Sequence, residues 1–167
     1  MKKISVFIVL AAIAFSCTKK ETYYNPQLKI DDLKKEIIND HNNESYGIFL
    51  DLSANDSLNY ESLAFSLLLA NEDNPEANYF VYHYMVSIFN KKEYDIDNLK
   101  NLSEVNRDFA LYYLKRAAKM NEFSSQSDLE EIYRRGIGIE KDEKKADSLL
   151  FILKKGQESY VPDYELK

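Results

Sequence analysis

The chain has 167 residues, with 22 Lys and Arg, 28 Asp and Glu, one Cys and no Trp. That length suits a single domain, which buries about 70% of the surface exposed by its unfolded chain. The single Cys excludes an intrachain disulfide framework and a cysteine-based zinc cluster. The net charge of −6 argues against nucleic-acid binding, which needs a surplus of positive charge. Only four Gly and three Pro favour helices over strands.

The first seventeen residues have the pattern of a secretory signal. A basic start is followed by an apolar run from Ile4 to Phe15, broken only by Ser5. Twelve residues are too few to span a bilayer, which takes about 20, and they are typical of a removable signal peptide. The residues from Ala14 to Cys17 resemble the lipobox of bacterial lipoproteins. The alternative is that Cys17 merely ends the apolar run.

The lipobox resemblance implies that the chain is cut before Cys17 and that this cysteine carries the lipid. We therefore expect a signal peptide over residues 1–16 and a lipidated polar tether over 17–27. Removal of the signal takes away Lys2 and Lys3 and no acid, which leaves 20 basic and 28 acidic residues and a net charge of −8. Attachment to a membrane would then depend on acyl chains. The expected location is the bacterial cell envelope, at the outer membrane, with the periplasmic or surface face left open.

Residues 28–167 read as one helical domain. Apolar residues recur there at three- and four-residue spacing, and no segment alternates with period two, so the pattern predicts an all-α fold. Asn106 and Asp142 stand where helix N-caps are expected. Breaks are expected at Asn74-Pro75 and at Gly136-Ile137-Gly138. The six expected helices have apolar faces that include Leu33 and Ile37, Leu63 and Leu67, Val81 and Met85, Leu111 and Leu114, Leu129 and Ile132, and Leu149 and Leu153.

The last third of the domain contains an internal repeat. The segment that starts at Ala110 aligns with the segment that starts at Ala146, an offset of 36 residues. A weaker copy starts at Ala64, which lies 46 residues before Ala110. The polar stretch from Lys91 to Asn101 would hold the extra length of about ten residues.

The segment from Leu129 to Ala146 resembles the signature of the Sel-1-like repeat, a relative of the tetratricopeptide repeat. The resemblance is clearest over residues 106–155, and Ser125 and Glu130 depart from it. It implies a short α-solenoid of antiparallel helix pairs, in which the two glycines reverse the chain, Asp142 caps a helix and Ala146 allows close approach. Whether residues 28–60 form a repeat or a cap stays open. The signature positions are Ala110, Tyr113, Leu129, Tyr133, Gly136, Gly138, Asp142 and Ala146.

No motif in the chain points to catalysis. Gly136-x-Gly138 lacks the third glycine and the Gly-Lys-Ser/Thr of phosphate-binding loops. His41 and His83 have no metal-ligand spacing, and no serine has the context of a nucleophile. His83 is expected on a helix surface or packed within the fold. We expect a protein without enzymatic activity, cofactor or metal.

The Sel-1-like resemblance implies a surface that binds a protein or peptide. Tyr82 and Tyr112 are the predicted partner-binding residues, because the repeat register turns them away from the packed positions. The leading hypothesis is a lipid-anchored interaction module of the cell envelope. A second is an immunity lipoprotein that captures a secreted antibacterial toxin, toward which the acidic charge would steer it. An envelope hydrolase is the least favoured reading.

Overall fold

A computed structural model describes residues 26–53 and 60–158, and this part of the chain is all-α and contains no strand. Residues 96–101 form a short 3-10 helix. This 3-10 helix and the α-helix over residues 43–53 were not expected from the sequence. The signal peptide and Cys17 lie outside the described residues. The elements are α1 (Pro26–Asp40), α2 (Asn43–Ser53), α3 (Tyr60–Ala70), α4 (Pro75–Asn90), the 3-10 helix (Ile96–Asn101), α5 (Glu104–Lys119), α6 (Phe123–Arg135) and α7 (Glu143–Glu158).

Helices that follow one another along the chain form the main packing contacts. In addition, α1 contacts α3, and the 3-10 helix lies against α4. One continuous apolar core runs from α1 to the loop after α6. Its fully buried large side chains include Ile37, Tyr46, Leu69, Val81, Leu99, Leu114 and Ile132. Burial of aliphatic and aromatic surface along neighbouring helices is what stabilises such a fold.

Three interhelical turns, α1–α2, α3–α4 and α5–α6, share one construction. In each turn a non-glycine residue with positive φ comes directly before a residue whose side chain accepts backbone N–H groups of the next helix. This arrangement satisfies donors that a helix N-terminus leaves without an intrahelical partner. The paired residues are His41 and Asn42, Asp73 and Asn74, and Asn121 and Glu122.

The second and third turns also match in the side chains of their second helices. The amide of Asn78 donates to the carbonyl of Ala70, and the amide of Gln126 donates to the carbonyl of Ala118. Both bonds link residues eight positions apart, and the two pairs lie 48 residues apart. The α3–α4 and α5–α6 hairpins are therefore structurally equivalent at an offset of 48 residues.

This offset corrects the alignment of the weaker repeat. At 48 residues, Ala110 corresponds to Ser62, and both side chains are fully buried. The predicted counterpart, Ala64, is exposed to solvent. The expected start of this copy at Ala64 is therefore wrong by two residues. The internal repeat did not reveal this match, because Ser62 takes the place of the small alanine at the packed position.

Four of the eight signature positions are buried, and the other four are half-buried. Gly136 has a φ of 71° and ends α6, where its N–H bonds to the carbonyl of Ile132. Gly138 has a φ of 69°, and a Cβ at this position would lie 2.9 Å from Cδ of Arg107. Both glycines therefore have the left-handed backbone that the chain reversal requires. Among the other signature positions, Ala110, Tyr113, Leu129 and Ala146 are buried and Tyr133 is half-buried.

Of the two predicted N-caps, one is confirmed and one is wrong. Asp142 precedes α7, and its carboxylate accepts the backbone N–H of Lys145 at 3.1 Å. Asn106 instead lies inside α5, because Ser103 caps that helix and accepts the Asn106 N–H. Serine is as good an N-cap as asparagine, so residue type alone does not distinguish Ser103 from Asn106.

Candidate functional site

Tyr82, predicted to be exposed, is fully buried, so that prediction is wrong. Its ring packs edge to face against Tyr94, with 5.9 Å between the ring centroids. Their hydroxyl oxygens lie 3.2 Å apart. Tyr94 belongs to the segment between α4 and the 3-10 helix, which folds back over this side of α4. The repeat alignment did not include that segment, and the prediction of an exposed Tyr82 therefore ignored the residue that covers it.

Tyr82 is part of a group of five side chains that we call the tyrosine–aspartate cluster: Tyr79, Tyr82, His83, Tyr94 and Asp128. Tyr94 donates a hydrogen bond to Oδ2 of Asp128 at 2.5 Å, and Tyr79 donates to the same oxygen at 3.3 Å. His83 stacks on Tyr94 with 4.1 Å between ring centroids and 24° between planes. Three of these residues come from α4, one from the segment after it and one from α6. The cluster therefore joins three separate parts of the chain.

Burial controls the ionisation of this cluster. It lowers the pKa of His83 to about 4, so the imidazole is neutral at pH 7. Its Nδ1 is buried and has no hydrogen-bond partner among the described residues. Burial also raises the pKa of Asp128, although the hydroxyls of Tyr94 and Tyr79 oppose the shift by stabilising the carboxylate. The pKa of the Tyr94 hydroxyl is likewise raised, first by burial, so it stays a donor.

The surface beside the cluster is acidic. From Glu36 to Asn90 the chain has nine Asp and Glu and no Lys or Arg. Burial raises the pKa of Glu76 on α4, and the charges of Glu122 and Asp51 raise it further. None of these three carboxylates forms an ion pair with a cation in the described part of the chain. The three acids therefore leave uncompensated negative charge around Glu76, whose pKa responds to the other two carboxylates.

This arrangement can bind a positively charged group. The Asp128 carboxylate is only half-buried, and it accepts hydrogen bonds from two half-buried tyrosines, Tyr79 and Tyr94. Such a surface attracts ammonium and guanidinium groups through both charge and the faces of its rings. Within residues 26–53 and 60–158, no group of three His, Cys, Asp or Glu side chains could hold a metal ion.

Nothing local in the sequence identified Asp128 or Tyr94 as members of one site. Asp128 is one of several acids on α6, and Tyr94 stands in a polar stretch between two helices. They meet because the chain folds back after α4. The one indication in the sequence was the stretch from Lys91 to Asn101, which holds the extra length between the two repeat copies.

Tyr112, the second predicted partner-binding residue, is exposed as expected. It lies on α5 with Val105 and Phe109, at the i, i+4 and i+7 spacing of one helix face. The exposed fractions are 77% for Val105, 43% for Phe109 and 57% for Tyr112. We call these three residues the apolar column of α5. Exposed apolar residues that form a contiguous patch are typical of interaction surfaces.

None of the described helices is both long enough and apolar enough to cross a membrane. Comparisons of the chain with protein-family models, curated proteins and solved structures found no match.

Proposed function

We propose that the protein is a lipid-anchored interaction module of the bacterial cell envelope, without enzymatic activity, that binds a protein or peptide. The anchor would be a lipid on Cys17, exposed by removal of residues 1–16. The helical domain would then project from the outer membrane on the tether that follows. The lipobox-like residues from Ala14 to Cys17 support this part of the proposal.

We further propose that the helical domain is a short α-solenoid built from Sel-1-like repeats. Support comes from the common construction of the three interhelical turns and from the packing of each helix mainly on its sequence neighbours. Repeat proteins of this kind bury their apolar faces between adjacent units and leave extended surfaces free for partners. The α1–α2 hairpin would then be a first, shorter unit.

The tyrosine–aspartate cluster and its acidic border are the observation that carries the binding function. Negative charge without compensating cations favours association with a positively charged partner and speeds its encounter. Tyrosine rings at such a surface supply contact area with little loss of side-chain freedom. The partner would accordingly place basic side chains against Glu76 and Asp128.

A second candidate function is an immunity protein that neutralises a secreted antibacterial toxin. The stretch from Glu36 to Asn90, which has no Lys or Arg, favours this candidate because it would complement a basic toxin. Deletion of the gene would then make cells sensitive to neighbours that secrete the toxin. Unchanged survival of the deletion strain beside toxin-secreting neighbours would contradict this candidate.

The first experiment tests the anchor. Cells that express the full chain are fed an alkyne-labelled fatty acid, and the labelled chain is detected after fractionation. We expect label on the wild-type chain in the envelope fraction and none on Cys17→Ser. Equal labelling of both chains, or no labelling of either, would show that Cys17 is not the anchor.

The second experiment tests the binding surface. The wild-type chain is cross-linked in intact cells and recovered together with its partner. We expect Glu76→Lys to lose the partner, because the new ammonium repels basic side chains. Glu140→Lys is the matched control, since Glu140 is also exposed and lies far along the chain from the cluster. Equal recovery of the partner by both variants would place the binding surface elsewhere.

A further inference from the structure

The apolar column of α5 is exposed, and the printed ring contacts of Phe109 and Tyr112 are with Tyr113 of the same helix. Val105, Phe109 and Tyr112 occupy consecutive turns on one side of the helix, and each exposes more than two fifths of its surface. Arg116 would extend the column by one more turn, but its guanidinium is paired with Asp73 at 2.5 Å. The apolar column therefore ends at the Arg116–Asp73 ion pair and is exposed to solvent over the rest of its length.

A second column of α5 runs beside the apolar one and carries only charged residues. Glu104, Asp108, Lys115 and Lys119 lie at i, i+4, i+11 and i+15, so that they share one helix face. All four are exposed, and none forms an ion pair with another described residue. We call this set the charged column. It has two negative charges in the first half of the helix and two positive charges in the second.

The order of these charges makes the helix complementary to itself. When two copies of α5 lie antiparallel and aligned from end to end, Glu104 faces Lys119 and Asp108 faces Lys115. Each pairing then occurs twice, as it does in any twofold interface. The midpoint of the helix falls between Leu111 and Tyr112, so the two Tyr112 side chains meet near the axis.

The helix dipole also favours acids at the start of a helix and bases at its end. The dipole does not explain why the four charges share one helix face. It also does not explain why that face lies beside exposed apolar residues. Glu104 and Asp108, and likewise Lys115 and Lys119, are like charges four residues apart, an arrangement that destabilises an isolated helix. Opposite charges on a second copy would compensate both repulsions.

We propose that α5 is the interface of a symmetric homodimer, in which two copies of the chain pack their apolar columns antiparallel and exchange the four ion pairs of the charged column. The interface is distinct from the tyrosine–aspartate cluster, so it goes beyond the proposed function and does not depend on it. One exposed helix face buries less area than a stable dimer needs. The dimer is therefore weak in dilute solution and is favoured where the chain is concentrated.

The first test is cross-linking of the full chain in intact cells with a short bismaleimide. Tyr112→Cys should give a dimer band on a denaturing gel, because the two thiols lie close to the axis. Val105→Cys should give none, since its two copies lie about 20 Å apart along the helix axis. The wild-type chain shows the background from Cys17. Equal dimer bands from both variants, or none from Tyr112→Cys, would overturn the proposal.

The second test reverses the charges in the Tyr112→Cys background. Glu104→Lys with Asp108→Lys leaves four positive charges in the column, and the dimer band should fall about tenfold or more because like charges then face one another. Adding Lys115→Glu and Lys119→Glu restores a self-complementary order and should restore the band. The rescue excludes misfolding as the cause of the loss. A band that survives the reversal, or that stays absent in the fourfold variant, would overturn the proposal.

The two proposals fail separately. Glu76→Lys should abolish partner recovery and leave the Tyr112→Cys dimer band unchanged. The charge-reversal variant should lose the dimer band and still recover the partner.

Discussion

The hydroxyl of Tyr94 donates a hydrogen bond of 2.5 Å to the carboxylate of Asp128 and so joins the segment after α4 to helix α6. The two residues lie 34 positions apart in the chain. Their contact also holds Tyr94 over His83 and Tyr82 on α4. A single side chain thus connects two helices through a segment that belongs to neither.

Removal of this hydroxyl should destabilise the fold. Tyr94→Phe leaves Asp128 with only the weaker bond from Tyr79, and we expect the free energy of unfolding to fall by about 1.5–3 kcal/mol, the range for a hydrogen bond to a charged group. Urea denaturation measures the change. Tyr112→Phe is the control, because its exposed hydroxyl forms no hydrogen bond with the described residues, and it should change stability by less than about 0.5 kcal/mol. Similar losses for both variants would contradict the role of the bond.

His83 should make stability depend on pH. Its pKa is about 4 in the folded chain and 6.5 in the absence of burial, so the unfolded chain binds more protons between these values. Stability therefore falls as the pH drops from about 6.5 toward 4, by about 1.4 kcal/mol per pH unit at most and about 2–3 kcal/mol in total.

The variant His83→Phe isolates this contribution. Asp128 acts in the opposite direction, since a raised carboxyl pKa makes the folded chain bind more protons in acid. The quantity to compare is thus the difference between the wild type and His83→Phe in urea denaturation at pH 7 and pH 4.5. We expect the wild type to lose more stability than the variant. Parallel losses would show that His83 is not buried in its neutral form.

Gly138 and Gly47 should respond in opposite ways to the same substitution. Gly138→Ala would force an alanine into a left-handed conformation with its Cβ 2.9 Å from Cδ of Arg107, at a cost of about 1–2 kcal/mol or more. Gly47 lies within α2 with no atom near its would-be Cβ. Gly47→Ala should therefore stabilise the helix by about 0.5–1 kcal/mol. Melting temperatures of the two variants would move in opposite directions, and a shift of the same sign would contradict this account.

Asn74 should be the most sensitive asparagine of the α3–α4 turn. Its side chain accepts the N–H of Ala77 at 2.7 Å and donates to Asn43 at 2.8 Å. Asn74→Ala removes both bonds, and we expect a loss of about 1–2 kcal/mol in thermal or urea unfolding. Asn71→Ala provides the comparison, since Asn71 is exposed and its side chain forms no hydrogen bond with the described residues. A larger loss at Asn71 would exclude the capping role.

The features that could be predicted are those set by short stretches of chain. The spacing of apolar residues predicted helices at Leu111 and Leu129, and the left-handed turn at Gly136 followed from the residue type alone. The N-cap at Asp142 also depends only on its own side chain and the next three residues. The same reasoning could have predicted helix α2, because Tyr46, Phe49 and Leu50 have helical spacing. Gly47, which disfavours a helix, lies within that segment and obscured the pattern.

The sequence by itself determined the all-α class, most helix positions and the breaks at Pro75 and Gly136, because hydrogen bonds between near neighbours and apolar periodicity decide them. Only the tertiary structure decided that Tyr82 is buried, that Ser62 replaces Ala64 in the repeat, and that Tyr94 reaches Asp128. The burial of Tyr82 and the reach of Tyr94 depend on the path of the chain after α4, whereas the match of Ser62 depends on the α3–α4 turn. Burial and the pKa shifts that follow from it are properties of those distant contacts, so they emerge only when the helices have packed.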